Sequence, residues 1–252
     1  MDGLRIFIHA LRMVFGNLGA VIRISGVFFV VVLGLLLVAG EGYFAVPEAG
    51  EFLPSGRVAG TMFLLSVAQI LLGLWVVVAW HRFVLLEEQP GALAPAWNGA
   101  AIWQYFKAGV IYTLVLVVFV IPLGTIVGMA LLPMLGASGV GVLLVGGLVY
   151  IPAAYIGYRI APILPAAAVG RNLPLREAFY ATGTSGGSFV VLAVVTIAAS
   201  WLVGLPAGIL AQSSVQLALV WTALSHWLSI MVGASILTTI YGVYVEKRTL
   251  NA

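Results

Sequence analysis

From Ala108 to Tyr158 the chain carries no Asp, Glu, Lys or Arg, and from Ala178 to Val245 it again carries none. A helix needs about 20 apolar residues to cross the hydrocarbon core of a bilayer, so each of these stretches is long enough for two passes. Lipid offers no water to pair with backbone N–H and C=O groups. A spanning segment must therefore be a helix or part of a closed barrel. These runs are continuous and rich in Leu and Val, without the alternation of a barrel strand, which selects helices. A soluble alternative fails on area. Of 252 residues, 63% are hydrophobic and 8% are charged, against about a quarter charged in soluble domains.

The pattern predicts an all-α, polytopic membrane helix bundle with six transmembrane helices, forming a single transmembrane domain over 1–252. The spans are expected near Ile24–Ala39, Val58–Trp80, Ala108–Leu132, Val140–Tyr158, Ser188–Ala211 and Leu217–Val245. Residues 2–20 read as an N-terminal interfacial amphipathic helix. Leu4, Phe7, Ile8, Leu11, Phe15 and Leu18 recur on one face, with Arg5, His9, Arg12 and Gly16 opposite. The helix that precedes the first span, and the spans that follow, argue against a cleaved signal peptide. A second short interfacial helix is expected over Ala100–Lys107, with Trp97, Trp103 and Tyr105 at headgroup level.

Charge sets the expected orientation. Arg5, Arg12, Arg23, Arg82, Lys107, Arg159, Arg171, Arg176, Lys247 and Arg248 fall on one side of the predicted spans. Arg57 falls on the other with Glu41, Glu48 and Glu51. Lys and Arg are retained on the cytoplasmic side, so both termini are expected there, in a bacterial inner membrane. On this reading the net charge of +3 reflects topology, and no nucleic-acid partner is implied. The absence of Cys removes disulfides and thiolate metal sites.

The chain also reads as three helical hairpins of one plan, over about 4–90, 95–174 and 175–249. Their exits are "AWHRFVLLEEQP", "GYRIAPILPAAAVGRNLP" and "IYGVYVEKR", in which Trp80, Tyr158 and Tyr241 precede the bases Arg82, Arg159 and Lys247. A shared anchoring role is the simpler account of that pattern: the aromatic in the interfacial belt, the base reaching to headgroups. Arg82, Arg159 and Lys247 are then expected on one face at similar depth. Glu87 and Glu88 are expected in water.

The candidate sites follow from where polarity remains. His81 with Arg82, Glu87 and Glu88 is the densest cluster, but adjacent carboxylates on a helix do not share a face, and one His with one carboxylate falls short of a zinc set. No catalytic, cofactor-binding or metal-binding residue is therefore assigned, and no cofactor is expected. Arg82, Arg159, Arg171, Arg176 and Lys247 form a candidate rim for anionic lipid headgroups, which attract nearby bases; topology alone is the competing account. His226, the ionisable residue inside a span, forms a candidate intramembrane polar site with Ser225 and Gln69. Against this, Thr222, Ser225, Ser229 and Gly233 share its face at the spacing of a helix-packing seam. Neither a Walker loop nor a G-x-S-x-G, H-E-x-x-H or dinucleotide motif occurs.

The stretch "YRIAPILPAAAVGRNLPLREAFYATGTSGGSF", with "ALRMVFGNLGAVIRIS" and "SILTTIYGVYVEKR", resembles a broad group of six-span bacterial inner-membrane proteins of unknown function. That group is similar to the membrane domain of some glycerophosphodiester phosphodiesterases. The resemblance implies a fold and a location. It carries no catalytic residue across, because His81-Arg82 is followed by Phe83 and not by the glycine of the H-R-G signature.

Together these features lead to the expectation of a non-enzymatic, multi-pass module that binds membrane lipids or a partner membrane protein. The alternative is a transporter or channel for a small or lipidic substrate, which would need a wet cavity lined by Gln69, Thr196, Ser200 and His226.

Overall fold

A computed structural model describes residues 3–40, 56–92, 94–135, 139–183 and 186–249. Among these residues the secondary structure is helical and no strand occurs. The helices are α1 (Gly3–Phe15), α2 (Leu18–Ala39), α3 (Gly56–Leu86), α4 (Gly99–Leu135), α5 (Gly139–Ile160), α6 (Ile163–Ala168), α7 (Leu175–Ala181), α8 (Gly186–Ala211) and α9 (Val215–Tyr244). Six candidate spans meet the length and apolarity a membrane requires: in α2, α3, α4, α5 running into α6, α8 and α9. The protein is an all-α, multi-pass membrane protein.

Two elements differ from the sequence expectation. The first helix ends at Phe15, and a turn at Gly16–Asn17 separates it from α2; the Asn17 side-chain amide donates to the Met13 carbonyl at 2.8 Å and closes the helix end. The interfacial helix expected over Ala100–Lys107 is the first part of α4, which continues unbroken to Leu135. Its 37 residues extend about 55 Å at 1.5 Å per residue, well beyond the roughly 30 Å hydrocarbon core. One helix therefore includes both the residues expected as a separate interfacial helix and an apolar run long enough to span. The loop with Glu41, Glu48 and Glu51 lies outside the described residues.

The chain divides into two compact units, each assembled from separate stretches. The first comprises the residues up to Arg12, Gly99–Ile197 and those from Ile236 onward. Its interior contains Phe189, Leu192, Ile240 and Tyr241, each fully buried. Here α1 meets α8 at Gly3, where a Cβ would collide with the Ser188 carbonyl oxygen and lie 2.6 Å from the Leu192 nitrogen. Helices α4 and α5 approach at Gly157, where a Cβ would lie 2.7 Å from the Tyr112 hydroxyl. Pro162 has no N–H to donate, and α5 gives way to α6 around it. All six residues of α6 are buried, because "ILPAAA" is small and apolar enough to run through the interior. Gly170, at φ 77°, then turns the chain outward.

The second unit comprises Met13–Asn98 and Ala198–Ser235. Phe28, Val32 and Leu36 form one buried ridge along α2, and Trp80 is fully buried on α3. An indole N–H inside an apolar bundle needs an acceptor. Trp227 donates to the Ser25 hydroxyl at 2.7 Å, Trp80 to the Ser235 hydroxyl at 2.9 Å, and Trp221 to the Val203 carbonyl at 2.8 Å.

Candidate functional site: a basic cleft beside the long helix

In the first unit, one face of α4 presents Gln104, Lys107, Ala108 and Ile111 at spacings of three and four, which places them on one side of a helix. Ile163 and Ala167 of α6 and the segment Arg171–Leu175 stand opposite. Together they enclose a cleft of about 300 Å³. Its lining has two cations and two carboxamides, the latter on Gln104 and Asn172. The rest of the lining side chains are apolar, and no carboxylate is among them. Among the described residues, no hydrogen bond or ion pair engages the side chains of Gln104, Lys107 or Asn172.

Arg171 is the exception. Its Nη1 lies 3.3 Å from Glu246 Oε1 and donates to the Tyr241 hydroxyl at 3.4 Å. The same carboxylate also meets Arg248 Nε at 2.7 Å. Glu246 is thus shared between two guanidinium groups, and its contact with Arg248 is the shorter.

The expected headgroup rim divides among different environments. Arg171 lines the cleft. Arg176 lies over the Tyr180 ring, 5.5 Å from its centroid. Lys247 is exposed, just beyond α9. Arg82, in the second unit, is taken up by Glu88 in a two-pronged ion pair, with Nε–Oε2 at 2.8 Å and Nη2 meeting Oε1. Arg159 is held inside the fold at 7% exposure. Its Nε donates to the Thr182 hydroxyl at 3.0 Å, Nη1 to the Tyr155 hydroxyl at 2.9 Å and Nη2 to the Phe179 carbonyl at 2.7 Å. The guanidinium also stacks 3.9 Å above the Phe179 ring. These contacts fasten α7 to α5, and Arg159 is a structural clamp.

The residues of the candidate intramembrane polar site differ in exposure and partners. His226 is exposed on α9, while the Ser225 hydroxyl donates to the Val203 carbonyl at 3.4 Å. Gln69 is half-buried on α3, and no hydrogen bond joins the three among the described residues. At the first hairpin's exit, His81 is fully buried while Glu87 is exposed, so the two do not share an enclosed polar pocket. Among the described residues, no group of three or more His, Asp or Glu is placed to hold a metal ion. A second groove, lined by Ile22, Gly26, Phe29, Leu224 and Trp227, has about 220 Å³ and an apolar lining that offers no reactive group.

Lys107, Gln104 and Asn172 were not among the residues the sequence singled out for a site. The available signal was the position of Lys107, the one Lys on the aromatic lead-in "WQYFK". The residues opposite it are supplied by another part of the chain. No protein-family model, curated protein or solved structure matches this chain.

Proposed function

We propose that this protein is a non-enzymatic, multi-pass module of a bacterial inner membrane, with both termini cytoplasmic, whose cleft binds anionic lipid or an acidic segment of a partner membrane protein. The observation that carries this reading is the cleft lining: Lys107 and Arg171 converge over an apolar floor with no carboxylate in the lining. Basic pockets between transmembrane helices are suited to lipid headgroups. The lopsided Lys/Arg distribution supports the orientation. The resemblance to six-span inner-membrane proteins supports the location.

The test is co-purification. The full chain, extracted in mild detergent, should retain anionic lipid or a specific membrane protein, and Lys107→Gln with Arg171→Gln should release it while the helical content persists. Retention unchanged in the double variant would remove the cleft from the account. Reporter fusions at the two termini should both read the cytoplasm; a split result would overturn the orientation.

A further inference from the structure

We infer that the ligand of the cleft is a phospholipid whose phosphate-bearing headgroup is net negative, with no cation of its own, held between Lys107 and Arg171, and that Glu246 occupies Arg171 until that phosphate displaces it. The inference rests on the lipid-binding reading of the cleft and adds the ligand's chemistry and an internal competitor.

The ligand class follows from the lining. Arg171 offers a planar fork of N–H donors suited to paired phosphate oxygens, and Lys107 offers a compact point charge. Gln104 and Asn172 add carboxamide N–H groups that can reach the remaining oxygens. Ile111, Ile163 and Leu175 continue the same wall as apolar surface. A free anion would leave that surface uncovered, whereas an amphiphile covers both parts. Depth agrees with this. Lys107 is the last charged residue before the charge-free run of α4, so headgroup depth suits its ammonium, and Ile111 is one turn further into that run.

The role of Glu246 follows from its two partners. Its carboxylate is near Arg171 at 3.3 Å and nearer Arg248 at 2.7 Å. Arg171 can therefore turn to a phosphate while Glu246 keeps a counter-charge. The Arg171 side chain is 64% exposed and that of Glu246 13%, so the guanidinium is the free end of the pair and the carboxylate the fixed one. A carboxylate at this position mimics one edge of the expected phosphate and holds the Arg171 head in place.

The experiment titrates the purified full chain in detergent micelles by native mass spectrometry. The probes are dioleoylphosphatidylglycerol, dioleoylphosphatidylcholine and inorganic phosphate. Phosphatidylglycerol should bind in preference to phosphatidylcholine, and inorganic phosphate should bind much more weakly than the phosphatidylglycerol. Lys107→Gln and Arg171→Gln should each weaken the phosphatidylglycerol complex about fivefold, the loss expected for one base beside an anionic headgroup. Glu246→Gln should strengthen it severalfold, because the competitor loses its charge. Circular dichroism melts check that each variant is folded. If the Lys107 and Arg171 variants weaken binding but Glu246→Gln does not tighten it, the displacement account fails while the lipid site stands. If the two lipids bind alike and neither cation variant matters, the lipid site fails as well. If inorganic phosphate binds as tightly as the lipid, the amphiphile assignment fails.

Discussion

Trp80 donates its indole N–H to the Ser235 hydroxyl at 2.9 Å, and neither residue has exposed surface. Ser235 in turn donates to the Met231 carbonyl at 2.8 Å. The aromatic at the first hairpin's exit is thus a core residue and not part of an interfacial belt. Ser235→Ala removes the acceptor and strands a buried N–H, at a cost of about 1–3 kcal/mol. Thermal unfolding in detergent should show a lowered midpoint for Ser235→Ala. The pair Trp80→Phe with Ser235→Ala should lose less than the sum of the two single changes, since each removes the same bond.

Arg159 should resist conservative replacement. Arg159→Lys keeps the charge but cannot address Thr182, Tyr155 and the Phe179 carbonyl together. Both Arg159→Lys and Arg159→Leu should destabilise by about 2 kcal/mol or more, within the range for hydrogen bonds to a charged group. Protease sensitivity near α7 should rise in both. A lysine variant as stable as the parent would contradict the clamp.

Gly3 is required by close approach. An added methyl would meet the Ser188 carbonyl and the Leu192 nitrogen, both backbone atoms that cannot rotate away. Gly3→Ala should destabilise by about 1–3 kcal/mol, the usual range for overpacking. Gly34, where a Cβ would meet nothing within 4 Å, is the control. In mid-helix, Gly34→Ala should be neutral or gain up to about 1 kcal/mol. The melting midpoint should fall for Gly3→Ala and stay or rise for Gly34→Ala.

The ends of α3 and α9 share one backbone device. Glu87 and Lys247 both adopt φ 58°, and the next residue's N–H reaches back, Glu88 to the Arg82 carbonyl at 3.4 Å and Arg248 to the Gly242 carbonyl at 2.9 Å. Aligned on these ends, Arg82 corresponds to Gly242 and not to Lys247. Left-handed backbone favours glycine, so Glu87→Gly should stabilise by about 0.5–1 kcal/mol. Glu88→Gln should change stability by no more than about 1 kcal/mol, since an exposed ion pair contributes little. Unfolding midpoints of the two variants test both expectations.

His9 on α1 supplies a pH dependence. Partial burial, reinforced by the Arg12 charge, holds its imidazole below the usual range, so the folded state favours the neutral form. The associated stability is present above about pH 6.5 and is lost as pH falls from there through the lower folded-state value, because over that window the unfolded chain binds the proton more readily. Comparing melts at pH 8 and pH 5.5, His9→Gln should show a smaller drop than the parent. An identical drop in both would exclude His9 as its source.

The chain's sequence by itself determined that there are six spans and that they are helical. Charge-free runs as long as Ala108–Tyr158 have no place in water, and lipid leaves their backbone no partner outside the helix. The helix breaks at Gly16–Asn17 and around Pro162 were legible only in the structure, the first lying inside what the pattern reads as one helix over 2–20. Tertiary structure alone decided which face of each helix is buried. Lipid is as apolar as a protein core, so exposed Val30, Phe63 and Val118 carry the same hydrophobic signal as buried Phe28, Leu65 and Val76. For that reason nothing in the local pattern announces that Trp80 lies inside, or that Arg159 is clamped while Arg171 is exposed. The cleft is a stronger case. Lys107 lies on α4 and Arg171 in the connection after α6, 64 residues apart in the chain; Lys107 reads as an ordinary topology-setting base and Arg171 as one of five rim candidates. Only the packing of α4 against α6, with the turn at Gly170 bringing Arg171 back across, gives the two charges a common wall.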